Sequence, residues 1–278
     1  MNIIELTLLV WVSSLLAGFV GSLTGLGGGI IITPVLTLAL GVDNRYAIGA
    51  TLVSVITTSS GAAAAYVREG FSNIRIGMFL EIATTVGALT GALLAARIST
   101  GAISIIFGLV LLYSAYASSR PRHERVGDCH PDPLATRLEM NGSYPTPDGP
   151  KAYCPQAVPT GFSLMFGAGI LSGLLGIGSG AVKVIAMDQA MGIPFKVSTT
   201  TSNFMIGVTA AASAGVYLGR GYIDPGLTMP VMLGVVVGSL AGARVLTRIE
   251  TRWLRLVFGL VIAIMAIEMI YHGLTGRL

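Results

Sequence analysis

The chain has 278 residues, of which 53% are hydrophobic and only 11% charged, with a formal net charge of +4. Soluble globular proteins carry about 25% charged residues, so this composition, with a mean hydropathy of +0.78, excludes a water-soluble domain and indicates an integral membrane protein. The positive balance does not indicate nucleic acid, because no basic patch interleaved with aromatic side chains accompanies it; basic residues sit in loops and at span ends.

The N-terminus is apolar from Ile3, with Glu5 its only early charge. A secretory signal would open on a basic region, so this segment is expected to be a retained first span. Long apolar runs follow at Ile3–Gly21, Ile30–Leu40, Ala47–Val67, Ile74–Ala96 and Ala102–Ala117. They resume at Phe162–Leu175, Ala181–Met191, Val197–Leu218, Gly226–Leu246 and Leu254–Tyr271. Runs of this kind predict transmembrane helices and exclude a β-barrel. The many glycines, 37 in all, suit close helix contacts.

Two of the runs are too short to span. Ile30–Leu40 and Ala181–Met191 follow Gly25-Leu26-Gly27-Gly28-Gly29 and Gly176-Ile177-Gly178-Ser179-Gly180. Clustered glycines unwind a helix, and unwound backbone within a bilayer is tolerated only where protein buries it or where it lines a cavity. Each cluster therefore predicts a break followed by a half-helix. A spacing of 151 residues superposes Gly25 on Gly176, Gly41 on Gly192, Tyr66 on Tyr217, Gly70 on Gly221 and Gly91 on Gly242. The expected fold is an all-α duplicated bundle with two repeats of about five helices each, in an inverted 5+5 arrangement. The first repeat covers 1–118 and the second 160–278. Residues 119–159, rich in proline and mixed charge, form a linker expected to be flexible. Counting basic residues on each side places this linker in the cytoplasm, with Cys129 and Cys154 reduced and both termini outside; a disulfide between the two would reverse that orientation.

Free backbone N–H groups and the positive dipole end at each break suit an anion. The candidate substrate site is Gly25, Gly27, Gly28, Gly29, Gly176, Gly178, Ser179 and Gly180. Nucleotide binding is not expected, because helix rather than a βαβ unit flanks the glycines. Lys183 takes the place of Ile32 in the second half-helix, and a lysine at membrane depth usually serves function. Thr199 and Asn203, four apart in Ser198–Asn203, share a helix face and could hydrogen-bond oxyanion oxygens or a neighbouring helix. Glu81 and Asp188 are the coupling-ion candidates, for a proton or sodium. No metal or cofactor is expected: His123 and His130 beside Cys129 and Cys154 match no compact ligand spacing.

The segments Gly21–Pro34 and Gly173–Gly180, with Gly221-Tyr-Ile-Asp-Pro225 and Gly238-Ser-Leu-Ala-Gly-Ala-Arg244, resemble the TauE/SafE family of membrane transporters, many labelled sulfite exporters. The resemblance implies export of sulfite, sulfonates or related small anions. The second motif departs from the family pattern in having Ser179 for glycine, and Ile185 stands where the first copy has Pro34. The sequence thus reads as a multi-pass inner-membrane secondary transporter of small anions working by alternating access, its partners the bilayer and a small anionic substrate. A homodimer is compatible. The alternative is a cation-coupled carrier or channel centred on Asp188 and Glu81.

Overall fold

The computed structural model describes residues 3–36, 40–94, 105, 108–109, 111–113, 115–116, 132–146, 149–175 and 179–275. Helix α1, Ile3–Thr24, stops at Gly25, where φ is 75°. A residue with a β-carbon is strained in that region, whereas glycine is not. Gly27 and Gly28 repeat the left-handed turn, and the chain doubles back: the Leu26 and Gly27 amides donate to the Gly21 carbonyl at 3.2 and 3.4 Å. Helix α2, Gly29–Pro34, therefore starts against the middle of α1, with Ile32 and Leu36 packed on Val10 and Ala17.

Helix α3 spans Asn44–Arg68 and α4 spans Ile74–Leu94, the latter begun by the Asn73 carboxamide accepting from the Ile76 amide at 3.1 Å. The described residues between 105 and 116 are helical. After a short helix α5, Pro133–Arg137, strands β1 (Gly142–Thr146) and β2 (Gly149–Tyr153) form an antiparallel hairpin, in register from Gly142 opposite Tyr153 to Thr146 opposite Gly149. Helix α6, Val158–Leu175, precedes the second break. Helix α7, Gly180–Ile185, runs into a π-helical turn at Ala186–Ala190. Helices α8 (Phe195–Gly219), α9 (Pro225–Arg248) and α10 (Thr251–Thr275) complete the described chain.

Packing pairs the two halves. Helices α1 and α9 lie side by side and run the same way: a β-carbon on Gly234, Gly238 or Gly242 would come 2.4, 2.0 or 2.5 Å from the carbonyl oxygens of Trp11, Leu15 and Phe19 in turn. Helices α4 and α6 also run parallel, with Gly87 and Gly91 against the carbonyls of Phe166 and Ile170. Only a missing side chain allows backbones so close. Helices α3 and α8 pack antiparallel, bringing Leu52 and Val55 to Ile206 and Ala210, and Ser59 to Asn203.

Among the described residues, five helices are long and apolar enough to cross a membrane: Thr7–Thr24, Tyr46–Arg68, Ile74–Gly91, Pro225–Leu246 and Thr251–Thr275. Their outer faces carry continuous apolar ridges. On α4 these are Met78, Ile82, Val86 and Leu89; on α10 they are Trp253, Leu256, Leu260, Ile264 and Ile267. In water such ridges would be an aggregation hazard, whereas lipid tails match them. The polar residues run the other way: Ser198 through Asn203 are all buried within the bundle.

Residues 132–146 and 149–159, the described part of the central segment, differ from the flexible linker its composition suggests. Ala135, Met140, Tyr144 and Tyr153 bury against Phe71, Ile76, Val158 and Met191. The Asn73 carboxamide donates to the Met140 carbonyl and the Tyr153 hydroxyl, both at 2.9 Å, and Arg75 pairs with Glu139. Burial pushes the Tyr153 phenol pKa up, partly offset by the Asn73 bond. The described prolines do not prevent order. Pro133 occupies the first turn of α5, where a missing N–H costs nothing, and Pro145 stands opposite Pro150 in the hairpin. Cys154 is disulfide-bonded, not reduced as the charge count required; Cys129, the chain's other cysteine, lies outside the described residues. Arg75 and Arg255, both counted on the linker's side, are not free loop charges, since Arg75 is held by Glu139 and Arg255 by Asp188.

Candidate substrate site at the paired helix breaks

The two breaks meet inside the bundle. A β-carbon on Gly180 would lie 2.4 Å from the Gly25 carbonyl oxygen and 2.9 Å from Leu26 Cα. On the other side of Gly25, a β-carbon would lie 2.9 Å from the Thr199 carbonyl and 3.1 Å from the Val184 side chain. Gly25, Gly27, Gly28, Gly29, Ser179 and Gly180 are all buried. Gly29 rests on Thr51 and Val55 of α3, and Gly27 on Val55 and Ile206. Gly176 and Gly178 lie outside the described residues.

Helix α8 ties the breaks together through its polar face. The Ser202 hydroxyl lies 3.0 Å from the carbonyl oxygen of Gly25, in the first break, and 3.3 Å from that of Gly180, the first residue of α7, so one hydroxyl joins the two elements. The Asn203 carboxamide donates to the Ser22 carbonyl at 2.7 Å, and the Tyr66 hydroxyl reaches the same oxygen at 3.0 Å. Thr199 turns its hydroxyl back to the Phe195 carbonyl of its own helix, 2.8 Å away. Two polar atoms here are left over. The Ser179 hydroxyl and the Asn203 Oδ1, on residues no more than 1% exposed, have no hydrogen-bond partner among the described residues. Leaving such atoms unpaired costs about 1–3 kcal/mol each.

Lys183 is fully buried, and its ammonium is directed to Glu81 Oε2 at 3.1 Å and Thr209 Oγ1 at 2.9 Å. Glu81 also accepts from Thr84 at 3.0 Å and from Thr85 at 3.3 Å, and a short contact joins it to Thr209. Lys183 is thus one half of an ion pair that crosses from α7 to α4. Asp188 is matched as well: Arg255 holds it through two bonds of 2.8 Å, and the guanidinium lies over the Phe195 ring at 4.4 Å. No group of three His, Cys, Asp or Glu side chains that could hold a metal occurs among the described residues.

The family description "Sulfite exporter TauE/SafE" matches residues 10–269. The chain belongs to the TauE/SafE family. It is 27% identical over 271 residues to the probable membrane transporter protein YunE of Bacillus subtilis (strain 168), covering 95% of this chain and 97% of that one. A probable membrane transporter protein of Xylella fastidiosa (strain 9a5c) is 26% identical, covering 93% and 92% of the two chains. MJ0441 of Methanocaldococcus jannaschii, also named a probable membrane transporter protein, is 24% identical, covering 92% of each. No solved structure matches. The protein is accordingly a multi-pass membrane transporter.

Within this TauE/SafE chain the described sequence candidates fall into three places. The described break residues, with Thr199 and Asn203, lie together around Gly25 and Gly180. Lys183, one turn into α7, sends its side chain to Glu81 on α4, so two residues weighed separately form one unit. Asp188 sits apart, with Arg255. Sequence reasoning passed over Ser202, Ser22 and Thr209. Ser202 belongs to the polar run already singled out, but nothing local distinguishes its phase. Ser22 contributes only its carbonyl, which any residue has.

Proposed function

We propose that this transporter moves small anions, namely sulfite, sulfonates or related oxidised sulfur species, by alternating access around the paired breaks. The observation that carries the reading is the junction itself. The backbone of the first break and the start of α7 are held by one serine, beside a buried hydroxyl and a buried amide oxygen that lack partners among the described residues. Ser179 Oγ would donate to an anion's oxygen, and Asn203 Oδ1, whose Nδ2 is committed to the Ser22 carbonyl, would accept from a ligand hydroxyl. The residues are occluded, so entry requires the bundle halves to move apart.

The inverted 5+5 repeat is part of the proposal. Local bonds recur at one spacing: Phe71 amide to Tyr66 carbonyl and Tyr222 amide to Tyr217 carbonyl, both 3.0 Å, stand 151 apart (222 − 71). Val42 to Leu36 and Ile193 to Met187 recur likewise (193 − 42). Asn73 and Asp224 begin α4 and α9 at the same spacing (224 − 73). The antiparallel course of α3 and α8 is what opposite orientation requires. Repeat interfaces are where secondary transporters hold substrate. A cation carrier centred on Asp188 and Glu81 is less well supported, because both carboxylates already have cationic partners. The bonded Cys154 favours an oxidising side for the central segment and cytoplasmic termini, within the cell's inner membrane.

The reading is tested with purified protein in liposomes. Sulfite or methanesulfonate flux above that of protein-free vesicles is expected, reduced by Ser179→Ala and Ser202→Ala. Absence of binding and flux for both anions would overturn it.

A further inference from the structure

We propose that the Glu81–Lys183 pair makes anion movement proton-coupled and electroneutral: an arriving anion replaces Glu81 on the Lys183 ammonium while Glu81 takes up a proton. This rests on the anion-transport reading and names what drives it.

The inference starts from charge conservation in a dry place. Lys183 is fully buried and the Glu81 side chain is 8% exposed, so the pair is a neutral unit deep in the protein. A lone anion entering such a unit would leave one uncompensated negative charge, which is strongly disfavoured in a low-dielectric interior. The site holds three charged groups at neutral cost only if one carboxylate is protonated. In balance, a carboxylate–ammonium pair, an anion and a proton become a carboxylic acid and an ammonium–anion pair. The proton bonds to a Glu81 oxygen, no other covalent bond changes, and the net charge is zero before and after. When the anion leaves, the proton leaves and the pair re-forms.

The surroundings suit the exchange. Thr84, Thr85 and Thr209 supply hydroxyls around Glu81 that can donate to the carboxylate or accept from the acid. Thr209 also contacts the ammonium at 2.9 Å, so Lys183 keeps one partner when Glu81 lets go. Among the described residues, Lys183 is the charged group that faces Glu81 from the packed elements. Helix α6 has no ionisable side chain, Lys196 of α8 lies over the Phe71 ring, and Asp188 is held by Arg255. On α4 itself, Arg75 pairs with exposed Glu139. The pair also bridges the two halves of the chain, α4 to α7, so the exchange of partners reaches the interface that must open.

The test uses methanesulfonate, which is ionised throughout the working range and cannot itself carry the proton. Protein in liposomes with an internal pH dye and an inward methanesulfonate gradient should acidify the lumen by one proton per anion, equally with the potential clamped by potassium and valinomycin. A second measurement does not need turnover: calorimetric binding to detergent-purified protein in buffers of different ionisation enthalpy should show one proton taken up per bound anion. In Glu81→Gln that uptake should fall to zero; if this variant does not fold or bind, the wild-type proton count alone decides. Methanesulfonate entry or binding with no proton, or entry that builds a potential, overturns the coupling and leaves the anion reading standing. No binding or flux of either sulfite or methanesulfonate overturns both.

Discussion

Gly180→Ala is the sharpest perturbation of the junction. The new methyl would stand 2.4 Å from the Gly25 carbonyl oxygen and 2.9 Å from Leu26 Cα. Both neighbours are backbone and cannot rotate away. Ordinary contact begins near 3.4 Å, so the two breaks must separate by about 1 Å (3.4 − 2.4). Overpacking of this kind costs roughly 1–3 kcal/mol, and that loss lowers Tm by on the order of 5 °C. The bridge through Ser202, at 3.0 and 3.3 Å to the two carbonyls, would be stretched on at least one side. If the anion binds there, affinity should fall about tenfold for each ~1.4 kcal/mol lost from the bound state. The control is Gly215→Ala in α8, where nothing lies within 4 Å. It should be neutral or stabilising by up to about 1 kcal/mol through helix propensity. Thermal unfolding of detergent-purified protein and sulfite titration by calorimetry read both quantities. If Gly180→Ala behaved like Gly215→Ala in both assays, the close junction would be refuted.

Lys183→Met alone leaves Glu81 buried and unpaired, so it should destabilise by roughly 3–5 kcal/mol, whereas Lys183→Met with Glu81→Gln should recover most of that loss; a stable single variant in thermal unfolding would contradict the pair. Asp188→Asn removes the partner that Arg255 holds with two 2.8 Å bonds; it should lower Tm without changing sulfite affinity, and a selective loss of affinity would bring Asp188 back as part of the site. Asn73→Ala deletes two 2.9 Å bonds to the central segment and the first-turn bond of α4. At about 1 kcal/mol per bond, it should make residues 132–153 more susceptible to limited proteolysis while the bundle stays intact. For orientation, a membrane-impermeant maleimide applied to intact cells should label the protein only after a reductant is added. Labelling without reductant would show free external thiols, and none in either case would place the central segment inside.

Part of this molecule is legible from residue order alone, because the physics involved is local. A run of apolar residues specifies a span wherever it sits in a bilayer, and adjacent glycines specify a break, as α2 and α7 starting at Gly29 and Gly180 illustrate. Family membership is legible for the same reason, since its motifs are contiguous. What the order of residues left open depends on contacts between distant positions. Lys183 and Glu81 are 102 residues apart, and nothing near either one says that its charge is already matched. The same holds for Asp188 and Arg255, 67 apart, and for Ser202 reaching Gly25 across 177 residues. The central segment carries the opposite lesson. Its prolines and charges argue for a loose chain, but Tyr144, Tyr153 and Met140 find an apolar shelf at Phe71 and Ile76 that exists only once α3 and α4 have packed. Composition decided that this chain lives in lipid. Packing decided which of its few buried charges already have partners, because electrostatic neutrality in a dry interior is settled by whatever stands three ångströms away, not by what stands next in the chain.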